Sequence, residues 1–186
     1  MITPKVNDTK VVFGPCRLSY VHVFEKHSFD GNTENGKYST NILIPKSETK
    51  TVEAIKKAIE AAKQAALNSK WNGKLPKELV MPLLDGDDRD DQDEVYAGHW
   101  YLNAKCNTRP GVVDRDRVPI VDEEEIYSGV WAVVSVTFFG FDVKVKKGIS
   151  CGLNNIMKFK DDEKLGGRVS ADTDFSGLDM EEDDDL

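Results

Sequence analysis

Apolar positions in this chain change their period twice, and the changes divide it into strands, one helix and a polar end. Residues 10–24 cluster Val11, Val12, Phe13, Leu18, Tyr20, Val21, Val23 and Phe24 around an interrupting Gly14-Pro15, the pattern of one bulged strand or two short ones. Residues 29–36 form a polar loop rich in Gly and Asn. Residues 37–45 then set Tyr38, Thr40, Ile42 and Ile44 on one face at period two, and Pro45, which lacks a backbone donor, ends that strand. Over residues 47–68 the spacing becomes three and four, through Val52, Ile55, Ile59, Ala62 and Ala66. This predicts an amphipathic helix whose first turn Ser47 or Thr49 caps, with Lys56, Lys57, Glu60, Lys63 and Gln64 on its solvated face.

Residues 71–84, with Pro76 and Pro82, read as irregular. Strand patterns resume at residues 99–107 and 118–121, are strongest at 130–139, and after Gly140 continue at 141–145 and 149–159. Several glycine-punctuated strands with a single early helix predict a mainly β chain in a small closed or nearly closed barrel. The apolar pattern stops after Phe159. The expected organisation is therefore one domain over residues 1–160 and a disordered acidic C-terminal tail over residues 161–186, too polar to bury a core. No repeat recurs at a fixed spacing.

Charge sharpens this division. The chain carries 33 acids against 25 bases, and eight of the acids fall in residues 171–186, where there is no base and the last residue is Leu186. The first 170 residues are thus neutral on average, with 25 acids and 25 bases. Residues 85–94 concentrate seven acids around Arg89 alone and residues 122–125 are four consecutive acids, so the remaining surface is basic, with 14 acids against 24 bases. A strand of carboxylates imitates a phosphate backbone and competes for a basic groove, which points to a nucleic-acid binder that covers its own site.

Other chemistries find little support. No run of about 18 apolar residues predicts a membrane span, and the first nine residues lack the basic start and apolar stretch of a secretion signal; a soluble protein of the cytoplasm is expected. Cys16, Cys106 and Cys151 are far apart and without zinc spacing, so they read as small buried hydrophobes in a reducing compartment. His22, His27 and His99 form no ligand cluster, and there is no phosphate-cradling glycine loop or nucleophile elbow. No cofactor and no catalytic residue is expected.

Single strands are held by bases stacked on aromatic faces and by phosphates tracked along a basic groove. Both ingredients are interleaved here. Regular pairing of residues 99–105 places Trp100 on one face and His99, Tyr101 and Lys105 on the other. Arg109, Arg115 and Arg117 follow in a basic arm, although Asp114 and Asp116 alternate with them and offer local ion pairs. Lys37 adjoins Tyr38, and Lys144 and Lys146 follow Phe141. The candidate DNA-binding residues are thus Lys37, Tyr38, Trp100, Tyr101, Lys105, Arg109, Arg115, Arg117, Lys144 and Lys146. Trp131, Phe138 and Phe139 lie in the most apolar strand and are expected in the core. The carboxylates of residues 85–91 invite a hard cation, but their spacing does not match an EF-hand loop, and a solvated acidic loop is the simpler reading.

Taken together, Gly36-Lys37-Tyr38-Ser39 leading into Leu43-Ile44-Pro45-Lys46, the Asp85-Gly86-Asp87 turn, Gly98-His99-Trp100-Tyr101 into Ala104, Tyr127-Ser128-Gly129-Val130-Trp131, and Gly148-Ile149 into Gly152-Leu153-Asn154-Asn155-Ile156 resemble a family of bacteriophage single-stranded DNA-binding proteins. That family was long filed as a domain of unknown function and is similar in plan to the T7-type replication proteins. The resemblance spans most of residues 11–159. It implies an OB-fold barrel of about five or more strands that coats exposed strands in phage replication, recombination and repair. It also implies an acidic tail, here Asp179, Glu181, Glu182, Asp183, Asp184, Asp185 and Leu186, that docks replication or recombination proteins and competes with DNA. Tails of this kind often end in an aromatic residue, and this one ends in Leu186.

The expected function is sequence-independent binding of single-stranded DNA, without enzymatic activity, in the cytoplasm of a host cell, with a homodimer left open. The rivals are a metal-dependent nuclease or recombination enzyme using Asp85, Asp87, Asp88 or Asp90, and a scaffold that binds basic proteins through its tail.

Overall fold

The computed structural model describes residues 1–166 and 171–178; the tail residues Asp179 to Leu186 named above lie outside the described residues. Its strands are β1 (Lys5–Asn7), β2 (Lys10–His27), β3 (Lys37–Pro45), β4 (Leu83–Asp85), β5 (His99–Cys106), β6 (Gly111–Val113), β7 (Trp131–Val143) and β8 (Lys146–Lys160), with helices α1 (Thr49–Ser69) and α2 (Ala171–Phe175). Hydrogen bonding runs β5-β3-β2-β7-β8, and a parallel pairing of β5 with β8 closes these five strands into a barrel. The other three extend it: β4 adds to β5, β6 to β8 and β1 to β2.

The barrel interior follows from the alternation in the sequence. Val11, Phe13, Leu18, Ile42, Ile44, Leu102, Ala104, Val134, Val136, Phe138, Ile149 and Ile156 are all buried. Helix α1 turns Val52, Ile55, Ala58, Ile59, Ala62 and Ala66 onto this core. Burying such side chains contributes about 1.5–3 kcal/mol for each Val, Ile, Leu or Phe. Neither Ser47 nor Thr49 caps the helix: its N-cap is Glu48, with no side-chain cap hydrogen bond.

Gly140 does not break a strand, contrary to the sequence expectation. Strand β7 runs through it, paired with Ile149 of β8, and a Cβ there would collide with the Cβ of Ala66 on α1 and meet the Trp71 ring. The glycine is a point of close helix-to-strand approach, and Trp71 closes the site by donating its indole N–H to the Phe141 carbonyl at 3.3 Å. Residues 118–121 also differ from expectation. Only an isolated bridge joins Pro119 to Val113, and the pairing strand is β6. Asp114 makes the turn, its carboxylate accepting from the backbone N–H of Asp116 and Val118.

In the apolar strand β7 only Phe138 meets the core expectation fully. Phe139 is exposed, because it falls on the outer face, and Trp131 is half-buried at the strand's start. Cys16 and Cys151 are buried and free, and burial pushes the Cys16 thiol up to about 12. Cys106 is only partly covered.

The segment after β8 is bound to the barrel. Trp131 Nε1 donates to Asp162 Oδ2 at 2.7 Å, Arg17 Nη2 donates to the Glu163 carbonyl at 2.7 Å, and Leu165 N–H donates to the Ser128 carbonyl at 2.8 Å. Gly129, at φ +116°, leaves room for the Glu163 carbonyl that any Cβ would strike. Residues 161–165 thus strap the exit of the tail, polar as they are, through hydrogen bonds that need no apolar burial.

Candidate nucleic-acid interface

Strands β2, β3 and β5 finish or begin at one end of the barrel, and there the register aligns their outward side chains. His27 pairs with Lys37, Ser39 with Lys105 and Asn41 with Asn103. Alternation then puts Lys37, Ser39 and Asn41 of β3 beside Tyr101, Asn103 and Lys105 of β5 on a single face. These residues line a groove of about 540 Å³, whose other walls are Tyr20, His22 and His27 of β2, Phe29 and Asn35 of the next loop, and Leu84 and Arg89. It is larger than the cleft of about 230 Å³ that Glu25 and Glu123 line.

The aromatic faces in the groove are set by their neighbours. Tyr101 meets the buried Tyr96 edge-on, with centroids 5.0 Å apart and planes at 87°. Tyr96 is fixed in turn by Asn41, whose Nδ2 donates to its hydroxyl at 2.8 Å. Arg89 lies over the Tyr96 ring, 4.0 Å from its centroid, and 5.2 Å from that of Tyr101. Tyr20 is 53% exposed and holds a φ of +48° where β2 changes register between Ser19 and His22. Positive φ is costly for a bulky residue and concentrates at functional sites. Phe29 is 96% exposed.

Of the residues expected from sequence, Lys37, Tyr101 and Lys105 line this groove. Tyr38 and Trp100 sit on the opposite faces of their strands. The Lys26 ammonium lies 5.8 Å from the Tyr38 ring, while Lys46 and Lys56 approach the Trp100 ring at 4.9 and 5.6 Å. Trp100 thus packs under cations beside α1, partly buried against the core. Arg109 stacks 5.0 Å from Phe24 and Arg115 4.6 Å from Phe159, Arg117 occupies the turn at φ +67°, and Lys144 and Lys146 belong to the β7–β8 turn, outside the groove lining. Among the described residues none of Lys37, Lys105, Arg109, Arg115, Arg117, Lys144 and Lys146 has a carboxylate within ion-pair distance. Asp114, one of the two acids interleaved with the arginines, is taken up by backbone amides.

The acidic loop is the reverse case. Lys46 Nζ lies 2.6 Å from Asp85 and 2.7 Å from Asp87, and Arg89 Nη2 lies 2.6 Å from Asp91. Hydrogen bonds from Lys46 hold the Asp85 and Asp87 carboxyls below the usual carboxylate range, and Arg89 does the same for Asp91. Backbone N–H groups supply further partners: Asp87 to Asp85, Gly98 to Asp87 and Asp93 to Asp91. Among the described residues no group of three or more His, Cys, Asp or Glu converges as a metal site would require.

The sequence pattern does not single out Tyr20, His22, His27, Phe29 or Arg89 as groove residues. An isolated phenylalanine inside a polar Gly/Asn loop is the available signal for Phe29. The others depend on the bulge in β2 and on how residues 86–98 fold back, which no local pattern reveals.

The chain and its fold are similar to known proteins. The family model described as Enterobacter phage Enc34, ssDNA-binding protein, matches residues 9–186. "Putative protein p50" of Acyrthosiphon pisum secondary endosymbiont phage 1 is 32% identical, over 95% of this chain and 98% of that protein. The solved structure of the single-stranded DNA-binding protein from bacteriophage Enc34 in complex with ssDNA superposes with a TM-score of 0.73 at 27% identity, covering 85% of this chain and 90% of that one. For gp2.5, a single-stranded DNA-binding protein encoded by bacteriophage T7, the TM-score is 0.59 at 19% identity over 93% and 97% of the two chains, a likeness of fold alone. By its sequence over nearly its whole length, the chain belongs to the Enterobacter phage Enc34 ssDNA-binding protein family.

Proposed function

We propose that this protein binds single-stranded DNA without sequence preference, laying the strand in the groove between β2, β3 and β5. The observation that carries the reading is one face on which the exposed rings of Tyr20 and Phe29 and the half-buried ring of Tyr101 converge with the unmatched cations Lys37 and Lys105. Aromatic faces accept any base and lysines follow any backbone, which is why sequence does not matter. Arg109, Arg115 and Arg117 extend the cationic track beyond the groove, whereas Tyr38 and Trp100 lie on the other faces of their strands and Lys144 and Lys146 belong to the β7–β8 turn. The role is that of a non-enzymatic coat for exposed strands in phage replication, recombination and repair in the cytoplasm of the host cell. A nuclease built on residues 85–91 fits less well, because Lys46 engages Asp85 and Asp87, two of the four carboxylates it would use, and no cluster of three ligating residues forms among the described residues.

In this reading the acidic tail rivals the strand for the groove and docks replication or recombination proteins when DNA displaces it. Fluorescence anisotropy of a labelled oligo(dT) tests both parts. Binding is expected for the full chain, and stronger binding for a chain shortened to residues 1–171, with the gap widest at low salt where a competing polyanion is least screened. Absence of binding by either form would overturn the function. Equal affinity across the salt series would overturn the role of the tail.

A further inference from the structure

One end of the groove holds two imidazoles that base stacking and lysine pairing leave without a role. The His22 and His27 imidazoles lie face to face, with centroids 4.1 Å apart and planes 9° from parallel. Phe29 meets His27 edge-on at 5.6 Å and 76°, and all three line the groove. A regular strand turns positions 22 and 27 to opposite faces. The register shift of β2 between them brings them onto one side.

The charges around the pair are distinctive. Lys37 of β3 is the cross-strand partner of His27, Lys105 of β5 lies one strand beyond Ser39, the partner of His22, and Arg89 faces the same groove. Glu25 and Glu123 share a small cleft with His22, Lys26 is turned to Tyr38, and Asp30 is turned back onto Ser28 and the Asn32 N–H. Among the described residues neither imidazole has a carboxylate within ion-pair distance. Two imidazolium rings in face-to-face contact repel, and the unpaired Lys37 and Lys105 add to that repulsion, whereas Arg89 is matched by Asp91. Burial, and then the His27 ring, hold His22 below the ordinary imidazole value.

We propose that the His22–His27 pair is a phosphate-binding subsite of the groove that takes up a proton from solvent as the backbone of a single strand enters. The subsite rests on the reading of the groove as a single-stranded DNA site. A phosphate set against the pair supplies the negative charge that the groove residues do not provide, favours the imidazolium and receives its N–H donors. Binding that takes up protons strengthens as pH falls, by up to about tenfold per pH unit for each proton.

Oligo(dT) suits the test, because thymine does not titrate in the imidazole range. Its affinity for the full chain, measured by anisotropy between about pH 5.5 and 8 at fixed ionic strength, is expected to rise about three- to tenfold per unit fall in pH. His22→Gln and His27→Gln, each checked for cooperative thermal unfolding, are expected to flatten that slope. In histidine NMR of the wild-type chain, saturating oligo(dT) is expected to move the His22 titration midpoint upward. Binding with a flat pH profile in the wild type, or an unchanged slope in both variants, would overturn the subsite and leave strand binding standing. No binding at any pH would overturn both.

Discussion

The acidic loop after β4 and the basic arm after β5 are both dense in charge, and the structure treats them oppositely. In residues 85–94 the carboxylates of Asp85, Asp87 and Asp91 are matched by Lys46, Arg89 and backbone N–H groups. In residues 109–117 the arginines have acids between them in sequence, yet Asp114 is consumed by its own turn and the guanidiniums of Arg109 and Arg115 are left to stack on Phe24 and Phe159. Charge already matched within the fold has little left for a ligand, whereas unmatched cations beside aromatic faces are what a polyanion seeks. Charge density alone does not say which loop has charge left for a ligand, and partner geometry does.

The largest effect that would sharpen this contrast is expected in the groove. Tyr101→Ala removes a stacking face worth roughly 1–3 kcal/mol per base, so oligo(dT) affinity should fall by about five- to 150-fold without loss of folding. A smaller fall is expected for Arg109→Ala combined with Arg115→Ala and Arg117→Ala. If these arginines hold phosphates, the slope of log affinity against log salt should shrink by about 0.7 for each phosphate of a single strand no longer neutralised. An unchanged slope would break the contrast, because the arm would then be as spent as the acidic loop.

Smaller still is the expected consequence of disturbing the matched side. Lys46→Met leaves Asp85 and Asp87 without their ammonium, but exposed pairs are worth about 0–1 kcal/mol, so the thermal midpoint should shift by only a few degrees and DNA affinity should scarcely change. The least visible effect concerns the strap. The Trp131 indole holds the Asp162 carboxyl below the usual range, and Lys158 does so for Asp161. Their folded values lie below the unfolded one, so their contribution is present above the ordinary aspartate range and is lost as pH falls through the lower, folded values. The Trp131 indole N–H resonance should therefore hold steady down to about pH 4 and move only below it.

Much of this architecture is legible in the sequence where one local cause dominates. Strand β3 begins at Lys37 and ends at Pro45 as expected, because period-two alternation and a missing donor are local facts. Helix α1 follows from its spacing, within two residues at each end. Gly140 is not legible in this way, because a glycine needed for close packing looks the same in sequence as one that ends a strand, and only the position of Ala66 distinguishes them. The site is legible in half: alternation alone joins Tyr101 to Lys105 and separates both from Trp100. Tyr20, His22 and His27 require the irregular register of β2, and Arg89 requires the fold-back of residues 86–98 onto Tyr101, both set by packing between segments distant in the chain.

The central claim, that one groove at the end of the barrel holds the strand, is tested most directly by comparing oligo(dT) affinity of the full chain with that of a Lys37→Ala, Tyr101→Ala, Lys105→Ala triple variant at constant salt. The account predicts a loss of at least about a hundredfold, from one stacking face and two phosphate-holding lysines together, in a variant that still unfolds cooperatively. Affinity within a few fold of the parent chain would contradict it.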